Sequence, residues 1–385
     1  MIGVGATSMF PRDFYTQLML RLYASVTTIV RPLVSEEVQV TGIQNLEGRI
    51  DSGQGALWLG KHDSRMDALN LPPLWFSFPG HPSLRGVSRT EYIKIPSHPL
   101  LSKHLSSALS WVMRKTLFHE VHRVSEMGYL PTSEVQRLRT ENGAILHQLQ
   151  QLYQQGTQVV IMPEGTTKTD GHIAVIRDGA YDLCQPNIWC VPFGNTYDSM
   201  SARKSIFGRS RDLVFINFGI PFHYQPIARQ DEESDIQYRV RDKTQFSRQI
   251  QDAFMDLNTI TAGQLAGEYL MSLAQQGERK WSRQDMEHII SRRVEALRQV
   301  EGIIIDRVLL DPLTCERRIY YLYESLQEKG YITENGEIAP ERVLFTPANV
   351  HVYKHQNPLR YMANRLIGIA KERPAIAQAL QDTRT

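Results

Sequence analysis

The stretch ALWLGKHDSRMD at residues 56–67 joins an unbroken apolar run to a polar cluster. The run is short, continuous and apolar, which is typical of a buried β-strand. Further along, the chain repeats this layout, because the apolar residues 159–162 (VVIM) lead into residues 163–166 (PEGT). Both polar clusters therefore follow a predicted strand through a turn, and together they indicate one site.

The spacing of His62 and Asp67 predicts a turn between them. Five residues rotate a regular helix by about 500°, so on one helix the two side chains would diverge by about 140°. Residues 64–67 read instead as a capping box that opens a helix, which puts His62 on a loop and Asp67 in the first helical turn. There the carboxylate can accept from one imidazole nitrogen and leave the other free to take a proton.

Each cluster also has a plainer interpretation when it is taken alone. Asp67 then caps its helix and favours the positive end of the helix dipole, and His62 is an ordinary polar loop residue. Residues 163–166 are a good turn sequence, since Pro and Gly both form turns. Arg123 in isolation reads as a solvated charge.

Further blocks accompany the two clusters in order along residues 37–225. The ordered set is VQVTGIQNL at residues 38–46, His-x4-Asp at 62–67, PEGT at 163–166, VPF at 191–193 and VFINFGIP at 214–221. In this order the blocks resemble the phospholipid and glycerol acyltransferases, typified by glycerol-3-phosphate and lysophosphatidic acid acyltransferases. The resemblance implies an α/β fold, a mixed β-sheet flanked by helices.

The chain departs from the family pattern at three places. Lys61 stands where the family usually has asparagine, and Thr167 stands where arginine is common, with Lys168 beside it. The second block is represented by residues 120–123 (EVHR), which keep the arginine, Arg123, and one β-branched residue. These departures bear on substrate specificity.

The resemblance implies an O-acyltransferase that needs no cofactor. A fatty acyl group would move directly from acyl-CoA or acyl carrier protein to a hydroxyl of glycerol 3-phosphate or of a lysophospholipid such as 1-acylglycerol 3-phosphate. His62 would be the general base and Asp67 its orienter. The imidazole must be uncharged to act, so the rate should rise with pH through the range in which histidine loses its proton.

Acceptor binding falls to the remaining blocks. Arg123 would grip an acceptor phosphate with two hydrogen bonds, and the resemblance assigns acceptor binding to Glu164, Gly165 and Thr166. Because a carboxylate repels phosphate, Glu164 is expected to bind Arg123 or an acceptor hydroxyl. Two alternatives stay open: an amine or another lipid as acceptor, and a non-catalytic lipid-binding protein on the same fold.

Composition excludes several other classes. The chain has 385 residues, 42% hydrophobic and 22% charged, which fits a globular protein, and its net charge of +2 does not point to nucleic acid. None of the three cysteines forms a C-x-x-C pair, so neither zinc nor a disulfide framework is expected, and the compartment is expected to be reducing. His119 and His122 lack a third ligand at metal-site spacing, so no metal site is expected.

Three regions are expected along the chain: an N-terminal amphipathic helical segment at residues 1–36, the acyltransferase domain at 37–228, and a mainly helical C-terminal domain with a small hairpin at 229–385. Within the last region, residues 245–257, 262–276 and 283–300 predict helices, and Asn335-Gly336 predicts the hairpin turn. Residues 359–365 (LRYMANR) resemble a C-terminal segment of larger glycerol-3-phosphate acyltransferases.

Membrane association is expected to be peripheral. No apolar run reaches 18 residues and no signal-peptide pattern occurs, so the expected location is the cytoplasm, at the inner face of a membrane. Residues 12–30 form an amphipathic pattern that either lies in the membrane interface or packs on the protein's own sheet. The basic residues 203–211 either contact anionic lipid or an acyl carrier protein, or are a solvated loop.

Overall fold

The structure is a computed structural model. It describes residues 35–47, 54–63, 67, 84–88, 118–122, 130–166, 169–184, 186–204 and 211–383, and also residues 21, 24, 25, 28, 31 and 32. Most of the predicted helix at 12–30, Arg123 and most of the basic loop at 203–211 lie outside the described residues. Helices and strands are numbered below among the described residues.

A mixed β-sheet forms the centre of the N-terminal region. Its strands are β1 (Ser35–Thr41), β2 (Ala56–Gly60), β3 (Leu84–Ser88), β4 (Phe118–Glu120), β5 (Gln158–Ile161), β6 (Trp189–Asp198), β7 (Asp212–Phe218) and β8 (Phe222–His223). Their order across the sheet is β1-β7-β6-β2-β5-β3-β4, and β8 pairs with β6. Strand β6 is antiparallel to β7 and β8, whereas all other pairs are parallel. The predicted mixed sheet is confirmed.

The apolar run at residues 56–60 forms the central strand β2. It lies between β6 and β5 and is buried on both faces, as an unbroken apolar strand of a parallel sheet should be. Successive side chains point to opposite faces, so Trp58 packs in one core and Leu57 and Leu59 pack in the other. Each fully buried side chain of this kind contributes about 1.5–3 kcal/mol of transfer free energy.

Three helices cover the Leu57 face of the sheet. They are α1 (Thr132–Gln154), α2 (Asp178–Leu183) and α3 (Asp235–Asp256). Helix α3 begins at a capping box between Ser234 and Gln237, and it buries Phe246 and Phe254 against the sheet. From the sequence this helix is expected in the C-terminal domain at residues 229–385. Its buried apolar side chains instead belong to the core of the sheet.

The block VQVTGIQNL forms β1 and a 3₁₀ turn at Ile43–Leu46. Gly42 has a φ of 77°, and a Cβ there would lie 2.0 Å from the carbonyl oxygen of Phe218. The Asn45 side chain donates to the same oxygen at 2.8 Å. The glycine is therefore required by close backbone packing, and the asparagine joins this turn to the end of β7.

Helices dominate the C-terminal part of the chain. They are α4 (Ala262–Gln276), α5 (Arg283–Arg298), α6 (Pro312–Glu328), α7 (Pro340–Val343), α8 (Tyr353–Gln356), α9 (Pro358–Glu372) and α10 (Pro374–Gln381), with 3₁₀ turns at Arg307–Leu310 and Val350–Val352. Two short parallel strands, β9 (Thr259–Ile260) and β10 (Ile304–Ile305), join the set. The helices share a core of their own, separate from the two cores of the sheet.

The C-terminal predictions are confirmed in outline. Each predicted helix overlaps an observed one, and α4 has the predicted bounds. Ile332 and Ile338 pair in antiparallel fashion around a turn in which Gly336 has a φ of 75°. None of the helices in the described part of the chain combines the length and apolar character needed to cross a bilayer.

Candidate active site

The site lies where β2 and β5 end side by side. Because these two strands are parallel, their carboxyl ends meet at one edge of the sheet. The Lys61 N–H donates to the Phe193 carbonyl at 3.0 Å, and Asn195 donates to the Lys61 carbonyl at 3.0 Å, so β6 fixes the chain up to residue 61. The loop that carries His62 leaves the sheet from this fixed point.

His62 and Asp67 form the predicted pair. Imidazole Nδ1 lies 2.8 Å from Asp67 Oδ2, and Asp67 has helical backbone, so the two side chains meet as expected. Asp67 is 1% exposed and His62 18% exposed at the side chain. The contact occupies Nδ1, which leaves Nε2 as the nitrogen that can take a proton.

Two further donors hold the Asp67 carboxylate. The Asp63 N–H donates to Oδ2 at 3.1 Å, and the hydroxyl of Tyr197 donates to Oδ1 at 2.5 Å. Tyr197 is buried on β6, two residues beyond Asn195, so alternate residues of this strand face the loop. Tyr197 was not predicted from the sequence. Its spacing of two from Asn195 on a buried strand could have indicated that both side chains lie on one face.

Glu164 is tied into the protein backbone. Its Oε2 accepts from the His62 N–H at 2.9 Å, and its Oε1 accepts from the Ala174 N–H at 2.7 Å. The residue is buried, and the two bonds join the His62 loop to the loop around residue 174. Both oxygens of Glu164 thus accept from the chain, a contact that was not expected from the sequence.

The other predicted binding residues are placed as follows. Gly165 follows in a tight turn, with a φ of 61° and its N–H donating to the Met162 carbonyl at 2.8 Å. Thr166 comes next and is partly buried. The structure thus brings His62, Asp67 and the PEGT turn to one place, whereas Arg123 lies outside the described residues.

Comparison with known proteins bears on the family. The family model described as Acyltransferase matches residues 37–194, which include His62, Asp67 and the PEGT turn. Residues 37–194 are an acyltransferase domain. The predicted family is confirmed for residues 37–194.

Two other comparisons were made. Among solved structures, the 1-acyl-sn-glycerophosphate (LPA) acyltransferase PlsC from Thermotoga maritima aligns over 64% of this chain and 84% of its own, at 15% identity and a TM-score of 0.36. A comparison with curated protein sequences gives no match.

A buried cluster of charges adjoins the His62 loop of the acyltransferase domain. Lys61 and Asp63 flank His62 and form an ion pair, and Asp63 also contacts the C-terminal region, where Arg365 on α9 donates to Asp63 Oδ1 at 2.8 Å. All three charged side chains are buried. Removing one member of a buried ion pair typically costs about 3–5 kcal/mol, because it leaves an uncompensated charge.

Electrostatics in this cluster favour an ionised Asp63. Burial alone would raise the pKa of Asp63, but the charges of Arg365 and Lys61 outweigh it and hold that pKa well below its usual range. Burial, followed by the charge of Arg365, lowers the pKa of Lys61, while Asp63 acts in the opposite direction. In the sequence Lys61 stands out only as a departure from the family pattern, and nothing there connects it to residue 365.

Other candidate groups are a metal site and the cysteines. In the described part of the chain, no three His, Cys, Asp or Glu side chains are arranged to hold a metal ion. The Cys184 and Cys190 sulfurs lie 3.5 Å apart as free thiols, a proximity that the sequence spacing did not reveal.

Proposed function

We propose that the chain transfers a fatty acyl group from the thioester of acyl-CoA or acyl carrier protein to a hydroxyl of glycerol 3-phosphate or of a lysophospholipid such as 1-acylglycerol 3-phosphate. The observation that supports this reaction is the His62–Asp67 contact of 2.8 Å at the end of the central strand, within an acyltransferase domain. The pair supplies a base whose second nitrogen is available to an incoming hydroxyl.

In the proposed reaction His62 carries the proton. Nε2 removes the proton of the acceptor hydroxyl as its oxygen attacks the thioester carbonyl, and a tetrahedral intermediate forms. The intermediate collapses to the ester and expels the thiolate, which takes the proton back from the imidazolium. Asp67 accepts from Nδ1 throughout and stabilises the transient positive charge. Atoms and charge balance without a cofactor.

Acceptor recognition is assigned to Thr166 and Arg123. The proposed phosphate clamp is Arg123, which directly follows His122. The side chain of Asn142 pairs with both backbone groups of His122, at 2.8 Å and 2.7 Å, and this fixes the chain just before the arginine. Glu164 is proposed to position the His62 loop rather than to contact the acceptor.

The test is acyl transfer by a His62→Ala variant that remains folded. Labelled acyl-CoA is incubated with the protein and a lipid extract, and the acylated product is identified by mass. Because a general base contributes about 10²- to 10⁴-fold, the variant should lose at least 10²-fold in kcat. The control is His288→Ala, since His288 is exposed on α5 and should leave the rate unchanged. Undiminished turnover by His62→Ala would remove the mechanism.

The acceptor class is tested separately with Arg123→Ala. A phosphate acceptor should show a large rise in its KM, since a charge-assisted clamp is lost. An unchanged KM would favour an amine or neutral acceptor. Thioester consumption by neither the wild type nor any variant, with lipid binding retained, would identify a lipid-binding protein instead.

Peripheral attachment to a membrane is proposed because the product of such a reaction is a lipid. Flotation with vesicles that contain anionic phospholipid tests this attachment. Recovery of the protein in the unbound fraction at low salt would contradict it.

A further inference from the structure

The catalytic loop is supported from the C-terminal helices as well as from the sheet. Asp63 is the residue directly after His62, and three different groups of Asp63 are held. Its N–H donates to Asp67 Oδ2 at 3.1 Å, its carbonyl accepts from Lys354 on α8 at 3.3 Å, and its carboxylate accepts from Arg365 on α9 at 2.8 Å. Two of these three contacts come from helices outside the acyltransferase domain.

Helix α9 also holds the second loop of the site. Arg365 Nε donates to the Gly171 carbonyl, and the Asn364 side chain donates to the Asp170 carbonyl at 2.9 Å. Glu164 ties this same loop to His62 through the Ala174 N–H. Arg365 is therefore bonded to both chain segments that Glu164 joins.

The contacts of Asp63 couple its side chain to the catalytic pair. The carboxylate and the N–H belong to one residue, so a movement of residue 63 that breaks the Arg365 contact would also disturb the N–H bond to Asp67 Oδ2. That oxygen is the one that accepts from His62 Nδ1. A shift of residue 63 would thus change the orientation of the carboxylate that fixes the imidazole.

We propose that Arg365 is a positioning residue for acyl transfer, acting through Asp63 to hold the His62 loop against Asp67. The proposal rests on the proposed function for its kinetic consequences. It makes helix α9 a part of the working enzyme, although the family match ends at residue 194.

The experiment compares Arg365→Met, Arg365→Lys and the control Arg373→Met in the full chain. Arg373 caps the end of the same helix and donates to Asp256 at 2.8 Å, so its loss removes another ion-paired arginine of α9 without touching the loop. Arg365→Met should lower kcat by about 10- to 100-fold, since a displacement of about 1 Å can cost about 10²-fold. Donor and acceptor KM should stay within about threefold.

Arg365→Lys keeps the charge opposite Asp63 and should recover part of the lost kcat, whereas Arg373→Met should match the wild type. A kcat of Arg365→Met equal to that of the wild type, or a loss confined to KM, would overturn the proposal. Where Arg365→Met fails to fold, Asp63→Asn is measured instead, because Arg365 is proposed to act through the carboxylate of Asp63. Asp63→Asn should lower kcat several-fold at constant KM, and a normal kcat would overturn the proposal.

Hydrogen exchange at the Asp63 amide separates this proposal from the proposed function. Exchange should be faster in Arg365→Met than in the wild type and in Arg373→Met, whether or not the protein transfers acyl groups. Faster exchange in a protein without transferase activity would refute the proposed function but would agree with the role of Arg365 in holding the His62 loop. Unchanged exchange in an active enzyme would refute that role of Arg365 alone.

Discussion

Replacing Asp67 with asparagine tests the geometry of the catalytic pair. Asparagine has one oxygen and one NH₂ group in place of the two carboxylate oxygens. The Asp63 N–H only donates, so it requires an oxygen at the Oδ2 position, next to His62 Nδ1. The hydroxyl of Tyr197 can accept as well as donate, so it tolerates the NH₂ at the Oδ1 position. We expect the amide to keep its oxygen on His62 and to preserve the tautomer.

The expected loss is therefore that of the charge alone. With Nδ1 and Oδ2 2.8 Å apart, the charge centres of imidazolium and carboxylate are about 4 Å apart, and at an effective dielectric constant of about 20 their attraction is about 4 kcal/mol. At about 1.4 kcal/mol per tenfold change, this predicts a fall in kcat of about 10²- to 10³-fold. A wrong tautomer would cost about 10⁴-fold.

The assay is kcat at saturating donor and acceptor for Asp67→Asn, Tyr197→Phe and the double variant. Tyr197→Phe alone should lose only a few-fold, because Asp67 keeps its bond to the Asp63 N–H. The double variant should lose at least tenfold more than Asp67→Asn, since the amide NH₂ loses its acceptor. Wild-type activity in Asp67→Asn would refute the role of Asp67 in orienting His62. A loss of about 10⁴-fold would contradict the expectation that the amide keeps its oxygen on His62.

Three other predictions concern the surrounding structure. Glu164→Gln should lower the free energy of unfolding by about 3 kcal/mol, because one charge-assisted bond is lost and an NH₂ group faces a backbone N–H. Its kcat should fall while the KM for the acceptor stays constant. A rise in that KM with an unchanged free energy of unfolding would show that Glu164 binds the acceptor instead. Asp63 has a pKa below its ordinary 3.8, so its stabilising contribution is complete above that value and is lost as the pH falls below it. The free energy of unfolding of wild type and Asp63→Asn is measured in urea between pH 3 and 6. The difference between the two proteins should be constant near pH 6 and should decrease below about pH 4. A difference that does not depend on pH would contradict the ion pair. Gly42→Ala should lower the free energy of unfolding by at least about 3 kcal/mol, measured by heat or urea, because the residue has a φ of 77° and its new Cβ would lie 2.0 Å from a carbonyl oxygen. Gly143 lies on helix α1 with open space around it, so Gly143→Ala should be neutral or stabilising. Equal effects at both positions would contradict this explanation.

Local sequence patterns predicted the parts of the site that adjoin strands. The apolar runs before His62 and before the PEGT turn identified β2 and β5, and the parallel pairing of these strands brings both clusters to one edge. The spacing argument, which required the chain to leave a regular helix between His62 and Asp67, agrees with their contact of 2.8 Å. These inferences succeeded because each depends on residues close together in sequence.

Contacts between distant residues could not be read from such patterns. Tyr197 lies 130 positions from Asp67, and Arg365 lies 302 positions from Asp63. Both contacts depend on how packed elements face each other, which periodicity does not encode. The same reason explains Glu164, whose residue type suggested a ligand contact but whose two oxygens accept from backbone N–H groups.

The boundary of the sheet domain shows a related limit. Helix α3 follows an acidic, linker-like stretch at residues 231–235, and this composition suggested a new domain. Its buried Phe246, Ile250 and Phe254 instead pack on the sheet together with α1. The polar segment at residues 231–235 is therefore a connection at the surface, and the core of the sheet continues beyond it.

The contact between Asp63 and Arg365 also constrains when the enzyme becomes complete during synthesis. Chains grow at about 5–20 residues per second, so the 302 positions between the two residues correspond to roughly 15–60 s of translation. During that interval the sheet can form, yet the His62 loop lacks its support from α9. Newly made chains should therefore acquire full activity only after helix α9 has been synthesised and has docked.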